Sequence, residues 1–185
     1  MSFCCIISFV HAEASSGEYS TPADIKINVL RLIEVDPVVQ ADTEAAIAAV
    51  WQRHMNVPAS VNLTFAHSIV LKMLDGSVTA VNSFYQWGTD TIMIALGTLQ
   101  ERHRSEPLEH MAVLHAGHEA RHKVQVALDN TPPDANAVIA YDRYTDSQHE
   151  VEAWESAIQA FSHVYPEQPV NFQVGSRVYS NQLIE

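Results

Sequence analysis

The stretch LHAGHEARHKVQ, Leu114 to Gln125, places three histidines and a glutamate within eight positions. Inside it, His118-Glu119-Ala120-Arg121-His122 is an HExxH motif. That spacing has a physical meaning on a helix, where residues four apart lie one turn apart on the same face. Two imidazoles so placed can meet one zinc ion at about 2.0–2.1 Å. The glutamate between them is turned too far round to ligate easily, but it can take a proton from a metal-bound water. On a wheel of ~100° per residue, His118 and His122 fall with Met111, Leu114, Gln125 and Val126. Glu109, Ala116, Lys123 and Ala127 fall opposite, and Arg121 lies near the border. The pair is therefore expected to face the interior or a cleft. Buried imidazoles need partners, which a shared metal would provide. The competing reading is a solvated helix that happens to be rich in histidine. His115 lies on the same side, one turn before His118. Three ligands over two turns fit one tetrahedral ion poorly, so a supporting or packing role is expected of it.

The helix extends in both directions as PLEHMAVLHAGHEARHKVQVALD, with Pro107 suited to its first turn. Gly117, in its interior, costs about 1 kcal/mol against Ala and points to a close backbone approach. Upstream, EASSGEYSTPAD predicts a loop. IKINVLRLIEV, alternating at Ile25, Ile27, Val29 and Leu30, predicts a strand. TEAAIAAVWQRHM predicts a helix capped by Asp42 or Thr43 and ended by Val57-Pro58. SVNLTFAHSIV and SVTAVNSFYQW predict strands around a turn at Asp75-Gly76, and DTIMIALG a third. Residues 130–148 read mostly as loop, and HEVEAWESAIQAFSHVY as a last helix stopped before Pro166. The tail VNFQVGSRVYSNQLIE predicts a short strand or a loose end. The expected architecture is α+β: a small mixed sheet packed with an N-terminal helix, a long HExxH helix and a following helix.

A catalytic zinc usually takes three protein ligands. The last helix offers Glu150 and Glu152, and helical phase separates them. Glu150 shares a face with Ala153, Trp154, Ala157, Ile158 and Phe161, whereas Glu152 lies about 200° away beside Glu155 and Gln159. A carboxylate in the middle of an apolar stripe is costly unless paired or metal-bound, which makes Glu150 the candidate ligand. Ser147-Gln148-His149-Glu150 also fits a capping box, and the two roles are compatible.

The rest of the chain constrains partners more than chemistry. A formal net charge of −12, with no cluster of Lys and Arg to offset it, argues against nucleic acid and anionic membrane surfaces. No apolar run approaches the ~20 residues of a membrane-spanning helix. The two cysteines, Cys4 and Cys5, are adjacent and offer neither a disulfide framework nor a cysteine zinc site. Residues 1–20 read as an N-terminal segment, either a short leader ending at Val10-His11-Ala12 or an irregular strand, and residues 21–185 as one domain. No Lys or Arg precedes the apolar run, so a soluble cytoplasmic chain is favoured over a secreted one. Oligomeric state has no signal in the sequence.

HExxH on one helix followed by Glu-x-x-Ala on the next resembles the gluzincin zinc metallopeptidases. HEARHKVQ followed by EVEAW is most similar to the compact minigluzincins. The likeness covers residues 25–165 in layout, and its motifs lie at 118–122 and 150–153. It implies a zincin-like core with His118, His122 and Glu150 binding Zn2+. It implies Glu119 as the general base of peptide hydrolysis, acting on a peptide or protein substrate. It also places TDTIMIALG where the family has an edge strand that could pair with an extended peptide; an ordinary core strand is the other reading. Tyr141, Tyr144 and His149 are candidates to stabilise the developing oxyanion, with His115 as a supporting residue. Trp154 stands where the family often has Asp or Asn, which removes a contact expected to a ligating histidine. Gln125 occupies the glycine position of the metzincin pattern, which the chain therefore lacks. Two alternatives stay open: a zinc-binding module that does not cleave, and a metal-free α+β domain with structural histidines.

Overall fold

The computed structural model describes residues 16–20, 25–55, 57–72, 76–129 and 147–182. In chain order the elements are β1 (Ser16–Ser20), β2 (Ile25–Arg31), α1 (Pro37–His54), β3 (Ala59–Ala66), β4 (Ile69–Lys72), β5 (Val78–Val81) and β6 (Ser83–Gln86). A 3-10 turn (Trp87–Thr89) leads into β7 (Thr91–Ala95) and α2 (Leu96–Arg102). Then follow α3 (Leu108–Asp129), α4 (Gln148–Val164), β8 (Asn171–Val174) and β9 (Arg177–Ser180). The class is α+β, with four helices, a five-stranded sheet and two small hairpins among the described residues.

The sheet order is β1-β2-β3-β7-β6. The central strands β2, β3 and β7 run parallel, and both edges pair antiparallel. The alternation that predicted β2 buries Ile25, Ile27 and Val29 on one face. Val61, Leu63 and Phe65 of β3 and Ile92 and Ile94 of β7 continue that face into the main core beneath the helices. The opposite face, with Ala66, Met93 and Ala95, is covered by Ile69 of the β4–β5 hairpin. Helix α3 packs against α1, α4, β6 and β7, and so runs through the centre of the molecule.

Several expectations need correction. The segment read as a loop holds β1, which an edge strand can achieve through backbone pairing to β2 without an apolar pattern. Helix α1 begins six residues earlier than expected. Its cap is Asp36, whose carboxylate accepts from Val38 N at 2.8 Å, with Pro37 in the first turn. Thr43 instead donates to Val39 O inside the helix, and Asp42 accepts from the Tyr165 hydroxyl at 2.5 Å. Each of the long strands read at 60–70 and 77–87 is two strands in different sheets, because the chain bends at His67-Ser68 and at Asn82. DTIMIALG splits into β7 and the start of α2. Strand β7 is flanked on both sides by β3 and β6 and is therefore not an edge; its four consecutive buried residues, Ile92–Ala95, are the mark of a central strand. Among the described residues, the edges of this sheet are β1 and, next to β7, β6.

The wheel for α3 also needs correction. His118 and His122 do face inward, but Ala116 and Lys123, placed opposite, are buried as well. Met111 to Ala120 are buried without a break because α1 covers the face opposite the histidines. Lys123 is tolerated there through Asp90, whose two oxygens lie 2.7 and 2.6 Å from its Nζ, and through the ring of Trp51, 5.1 Å away.

Candidate metal centre

Residues one turn apart on α3 bring His118 Nε2 and His122 Nε2 to 3.0 Å. The first turn of α4 brings in the third group. Ser147 caps that helix, its hydroxyl accepting from Glu150 N at 3.3 Å. The cap leaves the Glu150 side chain turned toward α3, with Oε1 3.0 Å from His122 Nε2 and Oε2 3.4 Å from His118 Nε2. Donor atoms about 2.0–2.1 Å from one tetrahedral ion stand about 3.3–3.4 Å apart, and the two imidazole nitrogens and the two Glu150 oxygens, at 3.0–3.4 Å from their neighbours, come close to that spacing. All lie in the interior: His118 is 6 % exposed, His122 4 % and Glu150 4 %. Glu119 joins them, and His118, Glu119 and His122 form a buried group whose ligand atoms lie within 4.8 Å of one another and could hold a metal ion.

Close packing makes this convergence possible. Gly117 faces α4, and a Cβ there would lie 3.0 Å from Ala157 Cα and 3.1 Å from Ala160 Cβ. The absent side chain lets the two helix backbones approach, which explains a glycine in the middle of the most buried helix.

The two histidines are held differently. His122 Nδ1 lies 2.8 Å from Gln125 Oε1, and the Gln125 amide donates through Nε2 to His149 O at 2.9 Å. That second bond orients the amide, so Nδ1 carries a proton and Nε2 faces Glu150. Burial works against charge on His122, but the hydrogen bond and charge of Glu150, with Glu119 and Gln125 behind them, carry its pKa up to about 9. His118 has the opposite balance: burial, and then the charge of His122, hold it well below the ordinary value. His118 Nδ1 has no hydrogen-bond partner among the described residues. The Trp154 ring lies against the imidazole instead, with centroids 4.1 Å apart. This is the position where the sequence departs from the gluzincin pattern.

Glu119 Oε1 accepts the Ser83 hydroxyl at 2.6 Å. Burial pushes the carboxyl up to about 7, while His122, the Ser83 hydroxyl and the Tyr85 backbone amide pull it down. A carboxyl in that range can accept and return a proton near neutral pH. His115 is near the same serine, with Nδ1 3.0 Å from Ser83 Oγ. Burial, His103 and Arg102 bring its pKa down to about 3, so it is neutral. Its ring packs edge-on to Trp154 and Phe172, the latter from the β8–β9 hairpin.

The structure thus brings together His118, Glu119, His122 and Glu150, with His115 linked to Glu119 through Ser83. His149 sits on the exposed first turn of α4 and reaches the site through its carbonyl oxygen. Tyr141 and Tyr144 lie outside the described residues. Glu152 points away and pairs with Arg121 at 2.8 Å. Sequence reasoning missed Ser83, Asn82 and the role of Gln125. Gln125 carried a signal, a polar residue on the inward face one turn past the motif. Ser83 and Asn82 carried none.

No family model, no curated protein and no solved structure matches this chain. Among the described residues, no helix is long and apolar enough to cross a membrane.

Proposed function

We propose that this protein is a zinc-dependent peptidase of gluzincin type, built on a compact zincin-like core. One observation carries the reading: His118 Nε2, His122 Nε2 and the Glu150 carboxylate converge at 3.0–3.4 Å, with Glu119 buried alongside. Two imidazoles and a carboxylate are a donor set suited to catalytic zinc. Bound there, zinc supplies Lewis acidity that acidifies water and polarises a peptide carbonyl. Glu119 accepts the proton of the attacking water and delivers it to the leaving amine nitrogen. Edge strand β6 supports a peptide substrate. Its Ser83 and Tyr85 both contact Glu119, and its outer edge has no strand partner among the described residues. An extended peptide paired there would lie beside the base.

The experiment measures zinc content and peptide hydrolysis together. The purified protein is expected to hold close to one zinc, and Glu119→Gln to keep the metal while hydrolysis falls by about 100-fold or more. Protein that takes up no metal would sink the proposal. Metal-loaded protein inert on broad peptide libraries would favour the non-cleaving module.

A further inference from the structure

We infer that Arg102, Asn82, His115 and Ser83 form a one-way hydrogen-bond relay that positions Glu119 as an acceptor. The inference rests on the reading of Glu119 as the general base and goes beyond it, because none of the four belongs to the HExxH motif.

The direction of the relay follows from donors that have no choice. Arg102 can only donate, and its Nη1 lies 3.0 Å from Asn82 Oδ1 while Nη2 reaches Ala80 O at 2.9 Å. This fixes the Asn82 amide with Nδ2 toward His115 Nε2, at 3.3 Å, and toward His103 Nε2, at 3.5 Å. An amide nitrogen cannot accept, so His115 Nε2 must be the bare nitrogen. A neutral imidazole then carries its single proton on Nδ1, which donates to Ser83 Oγ across 3.0 Å. The one hydrogen of Ser83 goes on to Glu119 Oε1 at 2.6 Å. The chain of donors thus runs from an exposed cation on α2, through the bend between β5 and β6, across α3, and back to the strand that borders the base. His115 and Glu119 are buried, so water does not readily substitute for a broken link. Arg102, Asn82, His115 and Ser83 are positioning residues: they hold one carboxylate oxygen of Glu119 in a fixed direction.

Asn82→Asp tests the direction with little change of shape. A carboxylate at position 82 still accepts from Arg102 but also demands a proton from His115 Nε2. The imidazole proton then moves to Nε2, Nδ1 becomes an acceptor, and Ser83 turns its hydrogen away from Glu119. Two-bond proton–nitrogen spectra of the histidine-labelled full chain, with His115 assigned by its loss in His115→Gln, read the tautomer directly. The wild type is expected to show Nδ1–H at His115 and Asn82→Asp to show Nε2–H. In zinc-loaded protein, Asn82→Asp is expected to lower kcat about tenfold or more at similar KM. Zinc affinity by chelator competition should stay within about threefold, since no ligand loses its own partner. Ser83→Ala should reproduce the kcat loss without moving the tautomer, and Ser83→Thr should restore it. An Nε2–H tautomer in the wild type overturns the relay, as does an unchanged kcat in an Asn82→Asp protein whose tautomer has switched. A wild type that binds zinc but hydrolyses nothing refutes the peptidase reading alone; the tautomer of His115 then still decides the relay.

Discussion

His122 stands between two partners of opposite kind, Glu150 at Nε2 and Gln125 at Nδ1. The Gln125 amide is itself tied to His149 O, so it can only accept from the imidazole. That keeps the lone pair of the neutral ring on Nε2, where the cluster needs it. Gln125→Leu, close in volume but without the acceptor, is expected to weaken zinc binding about 10–100-fold in chelator competition. Unaltered affinity would mean that the ring is oriented by Glu150 alone. His118 lacks such an acceptor among the described residues and lies against Trp154, an asymmetry the sequence signalled through the tryptophan after Glu-x-x-Ala. At this scale, legibility follows chain distance. His118, Glu119 and His122 were readable because one helix relates them at a fixed spacing. Ser83, 36 residues from Glu119, was not, because only the placement of β6 beside α3 joins them.

Among the elements, the contact between α3 and α4 matters most. Gly117→Ala should raise the helix propensity of α3 by about 1 kcal/mol, yet the added Cβ meets a backbone atom of α4 at 3.0 Å. Overpacking of this kind typically costs about 1–3 kcal/mol. The variant is expected to be less stable in urea than the wild type and to bind zinc more weakly, since α4 carries Glu150. A gain in stability would show that the helices part without cost. Glu150 itself was legible from phase, because α4 is amphipathic and its apolar stripe is continuous. Phase failed on α3 for the converse reason. A helix buried on nearly all faces has no solvent side for the wheel to find, and Lys123 shows how one charge can be held inside by Asp90. The start of α1 was missed because Asp42 and Thr43 looked like caps, whereas Asp36-Pro37 joins a carboxylate acceptor to a residue that needs no donor partner.

For the whole molecule, a metal ion held by the proposed ligands would compete with protons for one site. In the metal-free protein His122 has a pKa raised to about 9. A group raised above its unfolded value contributes stability fully below about 6.5, and loses it as pH rises through the folded value. Zinc requires the deprotonated nitrogen, so its affinity should rise across that same window. The zinc-induced increase in Tm is therefore expected to grow from pH 6.5 to about 9 and to vanish in His122→Ala. Scanning calorimetry with and without zinc checks it. A Tm increment that shrinks as pH rises would contradict this account.

The sequence by itself determined the HExxH helix, the amphipathic face that carries Glu150 and the α+β class. Each is a periodicity along one stretch of chain, and burial of one face is enough to select it. Tertiary structure decided the rest: that β6 rather than β7 is an edge beside α3, that α3 runs through the core, and that Asn82 and His115 reach Glu119 through Ser83. Those relations depend on sheet order and on bends such as Asn82, where backbone pairing with a distant strand outweighs local pattern.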